Sequence, residues 1–337
     1  MSDAVIETRA LRKSFGTVQA LDGLDLVVHR GEVAGFLGPN GSGKSTTIRI
    51  LLGMQRADSG EARVLGLDPW TDAVELHQRL AYVPGDVTLW PNLTGGETID
   101  LLTRLHRTRA DRRRRQELLE RFELDPTRRT RTYSKGNRQK VALVAALLTD
   151  AELYLFDEPT SGLDPLMMAV FTDEVRALRD RGRTVLLSSH ILGEVEALCH
   201  TVTIIRGGRD VESGTLSDLR HLTRSTVVLT SDIDPSRLRG LRGVDHVVVD
   251  EDRVSFDVDN SALSAVVETM ATTHVRGLQI TPPSLEDLFL RLYDTGATPA
   301  PPQLHGAERV PEAAHSEQPR HGADVEDDGA DPADGVR

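Results

Sequence analysis

The chain has 337 residues, of which 39% are hydrophobic and 27% charged, so it is long enough for a sizeable core and for more than one folded unit. Its net charge is −12, and half of that charge lies after position 295, where nine acidic residues accompany three basic ones. The rest of the chain is only mildly acidic. This argues against sequence-independent binding to nucleic acid, which needs a basic surface, so no nucleic-acid partner is expected.

Cysteine content and hydropathy restrict where the protein acts. The single cysteine, Cys199, excludes an intramolecular disulfide, and the N-terminus has no apolar secretory segment, so we expect a cytoplasmic chain. The longest plain apolar run, Val141–Leu148, is far shorter than the about 20 residues that cross a bilayer. If the protein acts at a membrane, another chain must supply the membrane-spanning part.

The first two thirds of the chain predict strands that alternate with helices, which favours a largely parallel α/β sheet. The expected elements are, in chain order, short strands over 1–33, a buried strand Val33–Leu37, a helix Thr46–Leu52, a short helix and strand over 76–83, an arginine-rich helical segment over 96–122, a helix opening in "TYSKGNRQK", a strand "LYLFDEP", a helix Met167–Arg181 and a strand "TVLLSSH".

A second unit is expected from about Arg224. Its pattern of strands and helices, βαββαβ, suits a small α+β module of the ferredoxin-like kind. "SLEDLFLRLY" predicts a closing helix with Ser284 as its N-cap. From Gly296 the chain is rich in Pro, Ala, Gly and acids and has no aromatic residue, so it is expected to be disordered. The predicted units are therefore 1–223, 224–295 and 296–337.

The segment "GPNGSGKST" fits the phosphate-binding pattern GxxxxGK[ST], with a strand before it and a helix after it. Its glycines let backbone N–H groups surround phosphate oxygens, and the positive end of the following helix adds to their attraction. Lys44 would reach the β- and γ-phosphates, and the Ser45 hydroxyl could bind Mg²⁺. The expected nucleotide-binding residues here are Gly38, Asn40, Gly41, Gly43, Lys44, Ser45 and Thr46.

Two further strands are expected to end beside this loop. "LYLFDEP" ends in Asp157, which would hold Mg²⁺, and Glu158, which would orient or deprotonate the attacking water. The alternative is a pair of solvated acids at a strand end. "TVLLSSH" places His190 on the same rim, where it would contact the γ-phosphate; a surface or structural histidine is the alternative.

Together these motifs resemble the ATP-binding cassette (ABC) ATPases, over about residues 5–220. The family signature LSGGQ has a counterpart in "YSKGN", which keeps Ser134 and Gly136, whereas Lys135 and Asn137 depart from it. "SGLD", ending at Asp164, resembles the D-loop, and Phe15 falls where the family stacks a ring on adenine, a core phenylalanine being the alternative.

The resemblance to ABC ATPases implies both a domain architecture and a dimer. It implies a P-loop NTPase cassette with an antiparallel β subdomain and a helical subdomain, and two ATP molecules sandwiched in a head-to-tail homodimer. Each ATP would lie between one chain's P-loop and the Ser134 and Gly136 of the other. The C-terminal module resembles the extra domain of many drug and antibiotic exporter ATPases, where it would regulate or stabilise the dimer.

One position departs from the family in a way that affects the site. The family places a glutamine in a "YVPQ"-like string, where it senses Mg²⁺ and the γ-phosphate and contacts the membrane subunit, but here the string is "YVPG". Gly85 has no side chain for that task. Asp86 could bind Mg²⁺ instead, the backbone and a water could substitute, or the site could work with weaker coupling.

The sequence thus predicts an ATP-hydrolysing subunit of an export-type transporter, dependent on Mg²⁺ and working with a separate membrane permease at the cytoplasmic face of the membrane. A soluble ABC ATPase acting in translation or DNA repair is the main alternative, but the chain has neither a second cassette nor a coiled-coil insertion. A small-substrate phosphotransferase is a third, opposed by the signature, the D-loop string and His190.

Overall fold

The structure is a computed structural model that describes residues 3–106, 111–221, 225–231, 233–251, 253–259, 262–271 and 275–281. The helix predicted over 284–293, with Ser284 as its N-cap, and the acidic tail from 296 lie outside the described residues.

A six-stranded sheet forms the centre of the cassette, in the order β5-β6-β7-β3-β8-β9. All neighbours are parallel except β8 and β9. Its strands are β3 (Val33–Leu37), β5 (Leu80–Val83), β6 (Leu153–Asp157), β7 (Thr184–Ser189), β8 (Thr201–Arg206) and β9 (Arg209–Thr215). Because the carboxyl ends of parallel strands meet at one edge, the residues that follow β3, β5, β6 and β7 lie together there.

Both faces of this sheet are buried. On β6, Leu155 packs into one hydrophobic cluster and Phe156 into the other. Burial on both sides explains why β3, β6 and β7 read as nearly continuous apolar runs. The helices connecting or flanking the strands are α1 (Lys44–Leu51), α2 (Ala73–Arg79), α6 (Pro165–Asp180), α7 (Leu192–Leu198) and α8 (Leu216–His221). Cys199, just after α7, is buried under β3, where a Cβ on Gly35 would lie 3.1 Å from its sulfur.

A separate antiparallel sheet has the order β2-β1-β4, with β1 (Ala4–Phe15), β2 (Val18–His29) and β4 (Ser59–Val64). The prediction of short strands over 1–33 is wrong here, because β1 and β2 are 12 residues each. The physical reason is an irregularity in β1: Ala10 has φ 47°, and the register with β2 shifts between Thr8 and Leu11. Such a bulge interrupts the period-2 pattern that a long strand normally shows.

The helical subdomain contains α3 (Gly95–Leu105), α4 (Arg112–Arg121), a 3₁₀ turn (Thr130–Thr132) and α5 (Lys135–Leu147). The segment 96–122 is therefore two helices rather than one. Two arginines of α4, Arg114 and Arg121, form ion pairs with Glu174 of α6, whose side chain is fully buried. This buried cluster connects the helical subdomain to the sheet-forming part of the cassette.

The C-terminal described residues form a four-stranded antiparallel sheet in the order β11-β12-β10-β13. Its interior is a hydrophobic cluster of its own, containing Val227, Phe256 and Val266. The elements are β10 (Ser225–Ser231), α9 (Pro235–Arg239), β11 (Val244–Asp250), β12 (Arg253–Val258), α10 (Leu263–Ala271) and β13 (Val275–Thr281). Their chain order is βαββαβ, with the two βαβ halves interleaved in the sheet.

Candidate nucleotide-binding site

The loop between β3 and α1 surrounds the ammonium group of Lys44. Lys44 Nζ donates to the carbonyl oxygens of Gly38 at 2.6 Å and Pro39 at 3.1 Å, and its side chain is 4% exposed. Burial lowers the pKa of Lys44, while the carboxylate of Glu158 opposes that shift. The two hydrogen-bond acceptors of Lys44 in the loop are thus neutral carbonyl oxygens, which anionic phosphate oxygens can replace with stronger, charge-assisted hydrogen bonds.

The same loop has the shape and the donors that a phosphate needs. A Cβ on Gly38 would lie 2.5 Å from the carbonyl oxygen of Ile205, so only glycine fits there, and Gly43 has φ 115° at the N-cap of α1. The hydroxyl of Ser42 is buried and has no hydrogen-bond partner among the described residues. An orphaned hydroxyl at a helix N-terminus fits an anion. Ser42 is an addition to the predicted site, since a serine at this place has no distinctive pattern.

Two strand ends bring the predicted catalytic groups together. Asp157 is 6% exposed and accepts a 2.5 Å hydrogen bond from Ser188 Oγ. Glu158 has φ 47°, a strained conformation, and its N–H donates to the Ser188 carbonyl at 3.0 Å. Its Oε1 lies 3.6 Å from Lys44 Nζ and 3.3 Å from His190 Nδ1. The structure therefore places Lys44, Glu158 and His190 in one cluster.

Strand register explains this cluster. Asp157 is opposite Ser188 in the parallel pair β6–β7, and Leu37 is opposite Ser189 in the pair β3–β7. Each strand therefore ends level with its neighbour, and the residues after them share one rim. Ser188 is a second addition to the predicted site. It could be found only from the strand pairing, because a serine in an apolar run has many ordinary explanations.

The metal ligands expected from this chain are few. Ser45 is exposed in the first turn of α1, and Asp157 lies at the sheet edge. No group of three or more His, Cys, Asp or Glu side chains in the described part of the chain could hold a metal alone. A hydroxyl and a carboxylate suit Mg²⁺ when nucleotide phosphates and water complete its oxygen ligands. The site thus fits a metal that arrives with the nucleotide.

The segment after β5 passes directly beside the two acids. A Cβ on Gly85 would lie 3.1 Å from the Asp157 carbonyl oxygen and 3.5 Å from Glu158 Cβ. Gly85, which stands where the family has glutamine, thus lies beside Asp157 and Glu158. A side chain at this position would be in unusually close contact with the backbone of β6. Asp86 is exposed and lines a cleft with Arg131 and Arg138. Its role in binding Mg²⁺ stays a prediction.

Phe15, predicted to stack on adenine, is 48% exposed at the end of β1. The alternative of a core phenylalanine is therefore wrong. Lys13 Nζ lies 5.6 Å from the centre of the ring, a cation–π distance. The exposed ring is accessible to solvent, and its stacking role stays a prediction.

The predicted signature and D-loop residues lie at the starts of two helices. Ser134 is exposed and caps α5, with its Oγ accepting from the Asn137 N–H at 3.2 Å. Asp164 caps α6 in the same way, accepting from the Met167 N–H at 3.0 Å. A Cβ on Gly136 would lie 2.4 Å from the carbonyl oxygen of Gly162, so this glycine permits a close backbone approach. A serine hydroxyl that accepts one bond can still donate another, for example to a phosphate.

Comparison with known proteins gives two family matches. Residues 21–161 match the family model "ABC transporter", and residues 214–293 match "ATP-binding protein DrrA1-3-like, C-terminal domain". The chain is 37% identical to the daunorubicin resistance ATP-binding protein DrrA3 of Streptomyces coeruleorubidus, over 87% of this chain and 96% of that protein. It is 32% identical to the linearmycin resistance ATP-binding protein LnrL of Bacillus subtilis, over 87% and 99% respectively.

A solved structure described as the ATP-binding subunit of an ABC transporter is similar too, with a TM-score of 0.60 and 30% identity, over 65% of this chain and 92% of that chain. Within the described residues, none of the helices is both long and apolar enough to cross a bilayer. The relatives match this chain over almost their entire length, which a P-loop shared with unrelated enzymes does not explain. The chain therefore belongs to the ATP-binding proteins of ABC transporters, and it is an ATPase that powers transport.

Proposed function

We propose that this ATPase drives export, working at the cytoplasmic face of the membrane with a separately encoded integral membrane permease. The relatives that support export are named for resistance to daunorubicin and linearmycin and for export of Nod factor. The structural observation that carries the ATPase part is the cluster of Glu158 with Lys44 and His190 at the P-loop.

The residues of the cluster divide the work of hydrolysis. Lys44 exchanges its carbonyl partners for β- and γ-phosphate oxygens, and Glu158 orients the attacking water and accepts its proton. His190 contacts the γ-phosphate from the other side of Glu158. Ser45 and Asp157 would hold Mg²⁺, which would supply positive charge beside the phosphates when bound. We expect Lys44→Ala to abolish tight ATP binding, whereas a protein that bound ATP normally without this amine would contradict the assignment.

The proposed active form is a homodimer with two ATP molecules between the chains. Each chain has one P-loop and one signature, and the exposed Ser134 has a hydroxyl proton available for the γ-phosphate on the other chain. Gly136 is the second residue of α5, in the first turn, where helix N–H groups can bind an anion. ATP binding closes this dimer and hydrolysis reopens it.

The proposed docking site for the permease is an apolar groove beside the loop that follows β5. Its lining includes Pro84, Val87, Leu89, Trp90 and Leu102, and its volume is about 220 Å³. Trp90 is 48% exposed, and large aromatic side chains are the residue type that most often dominates a binding interface. Because Gly85 is in the same loop as Trp90, a helix seated in this groove would transmit motion to the acids on β6.

The test is reconstitution with the permease encoded beside this chain, recognised by its about six membrane-spanning segments. Trp90→Ala should weaken binding to the permease by about tenfold or more, since truncating a hot-spot residue costs about 2 kcal/mol or more, and should leave ATP hydrolysis by the free chain unchanged. Trp70→Ala is the matched control, because Trp70 is also 48% exposed but lies outside this groove. Equal effects of the two changes, or no transport by the reconstituted pair, would contradict the proposal.

A further inference from the structure

Within a single chain, the signature loop (Tyr133–Asn137) contacts the D-loop (Ser161–Asp164) directly. Lys135 Nζ donates to Ser161 Oγ at 2.7 Å. Next to this bond, the backbones approach so closely that a Cβ on Gly136 would lie 2.4 Å from the Gly162 carbonyl oxygen. The contact therefore combines a charged hydrogen bond with backbone packing. A glycine, which the usual signature has in place of Lys135, could not make that bond.

Ser161 is in turn tied to the catalytic glutamate. Its N–H donates to the carbonyl oxygen of Glu158 at 3.1 Å, closing a turn that begins at the catalytic residue. Thr160, inside that turn, donates its hydroxyl to the buried Glu194 of α7. Glu194 also accepts from Ser189 Oγ at 2.8 Å, one residue before His190. The D-loop is thus bonded to the backbone of Glu158 and, through Glu194, to the residue before His190.

We propose that Lys135 is a positioning residue that couples the two ATP sites of the dimer by joining the signature loop of each chain to its own D-loop. The coupling rests on the proposed homodimer. There, Ser134 and Gly136 touch the ATP held by the other chain, whereas Glu158 acts on the ATP of its own chain. The bond from Lys135 to Ser161 spans these two sites within one polypeptide, so ATP bound at either site shifts the groups at the other.

The bond to Ser161 has a consequence for hydrolysis that a purely local role would not have. Two sites at which the first ATP favours binding of the second give a sigmoidal dependence of ATP hydrolysis on ATP concentration, with a Hill coefficient above 1 and at most 2. Loss of the coupling residue should bring that coefficient toward 1. The ATP affinity of a single chain should stay the same, because Lys135 is not in the P-loop that binds the chain's own nucleotide.

The experiment measures ATP hydrolysis against ATP concentration for the full-length chain and four variants. Lys135→Met and Ser161→Ala remove the bond from its two ends, and the double variant completes a double-mutant cycle. Arg112→Met, which removes an exposed positive charge from α4, is the control. We expect the Hill coefficient to fall toward 1 in both single variants, with no further fall in the double variant and no change in the control. Circular dichroism establishes that each variant is folded.

Three results would overturn the inference. One is a wild-type Hill coefficient of 1; another is a coefficient that stays unchanged in Lys135→Met. The third is a rise in the ATP concentration for half-maximal rate in Lys135→Met but not in Ser161→Ala, which would assign Lys135 to the phosphate of the other chain. Failure of the homodimer itself is distinguishable: ATP would then not produce dimers of the Glu158→Gln protein in sedimentation experiments.

Discussion

The catalytic rim and the signature loop differ in how much of their structure exists within one chain. On the rim, Lys44 and Asp157 are almost completely buried, and Glu158 is held between cationic and imidazole nitrogens. In the signature loop, Ser134 and Lys135 are exposed. The rim is preorganised for its ligand, whereas the signature loop presents its groups outward. In the proposed homodimer, one chain would therefore supply the P-loop and the acids of one site and the signature residues of the other.

Strand pairing accounts for this difference. The rim groups follow strands that are fixed by parallel ladders and buried on both faces, so their positions follow from the sheet. The signature groups begin α5, whose buried residues Val141–Leu147 share a hydrophobic cluster with Val83 and Phe156 of the sheet. A substitution on the rim should therefore disturb ATP hydrolysis more than one in the exposed residues at the start of α5.

The largest expected effect is on the rim. Glu158→Gln removes the proton acceptor but keeps the shape, so ATP should still bind while hydrolysis falls by about 10²–10⁴-fold. Steady-state phosphate release and nucleotide-binding assays measure the two separately. Glu75→Gln, at an exposed position on α2, is the control and should hydrolyse ATP normally. Normal turnover in Glu158→Gln would remove Glu158 from the catalytic role.

The second-largest effect is expected where the helical subdomain is joined to the rest of the cassette. Arg114→Met combined with Arg121→Met leaves the fully buried Glu174 without these two cations. An unpaired buried charge costs about 3–5 kcal/mol, so the midpoint of urea unfolding should fall markedly. The double change Arg112→Met with Arg113→Met, on exposed positions of the same helix, is the control. Equal midpoints for the two double variants would show that the buried cluster contributes little.

The loop beside the acids should give a smaller effect. If Asp86 replaces the missing glutamine, Asp86→Ala should lower ATP hydrolysis by the assembled transporter about tenfold or more, which is about 1.4 kcal/mol in the barrier. The Mg²⁺ concentration that the Asp86→Ala transporter needs for half-maximal hydrolysis should rise at the same time. Asp150→Ala, at another exposed aspartate, serves for comparison. Unchanged turnover together with unchanged Mg²⁺ dependence would exclude a role for Asp86 at the metal.

The smallest expected effect is at the adenine end of the site. Phe15→Ala should raise the KM for ATP by about fivefold, corresponding to about 1 kcal/mol, the low end for stacking of a base on an aromatic ring. The rate at saturating ATP should not change. Val18→Ala, paired with Phe15 across the β1–β2 turn and also exposed, controls for local disruption. An unaltered KM would mean that adenine is held elsewhere.

The residues of the rim can be predicted from the sequence much better than the contacts that hold them in place. Asp157 ends an apolar strand and the P-loop, Glu158 and His190 each follow one, so a local pattern identifies them. The hydroxyl of Ser188 and the bond from Lys135 to Ser161 depend on which segments become neighbours, and no local pattern contains that information. The length of β1 was missed because a bulge breaks its alternation.

The buried cysteine has a practical consequence for testing dimer closure. Cys199 is the only cysteine of the chain, it is 6% exposed, and burial raises its thiol pKa well above the ordinary range. Because the thiolate is the reactive form, Cys199 should resist maleimide labelling in the folded protein. One cysteine could therefore be introduced at an exposed site such as Arg112, with the native thiol left in place. A donor dye on one chain and an acceptor dye on the other would then form the pair. ATP-driven closure would then be measurable as energy transfer between the two chains.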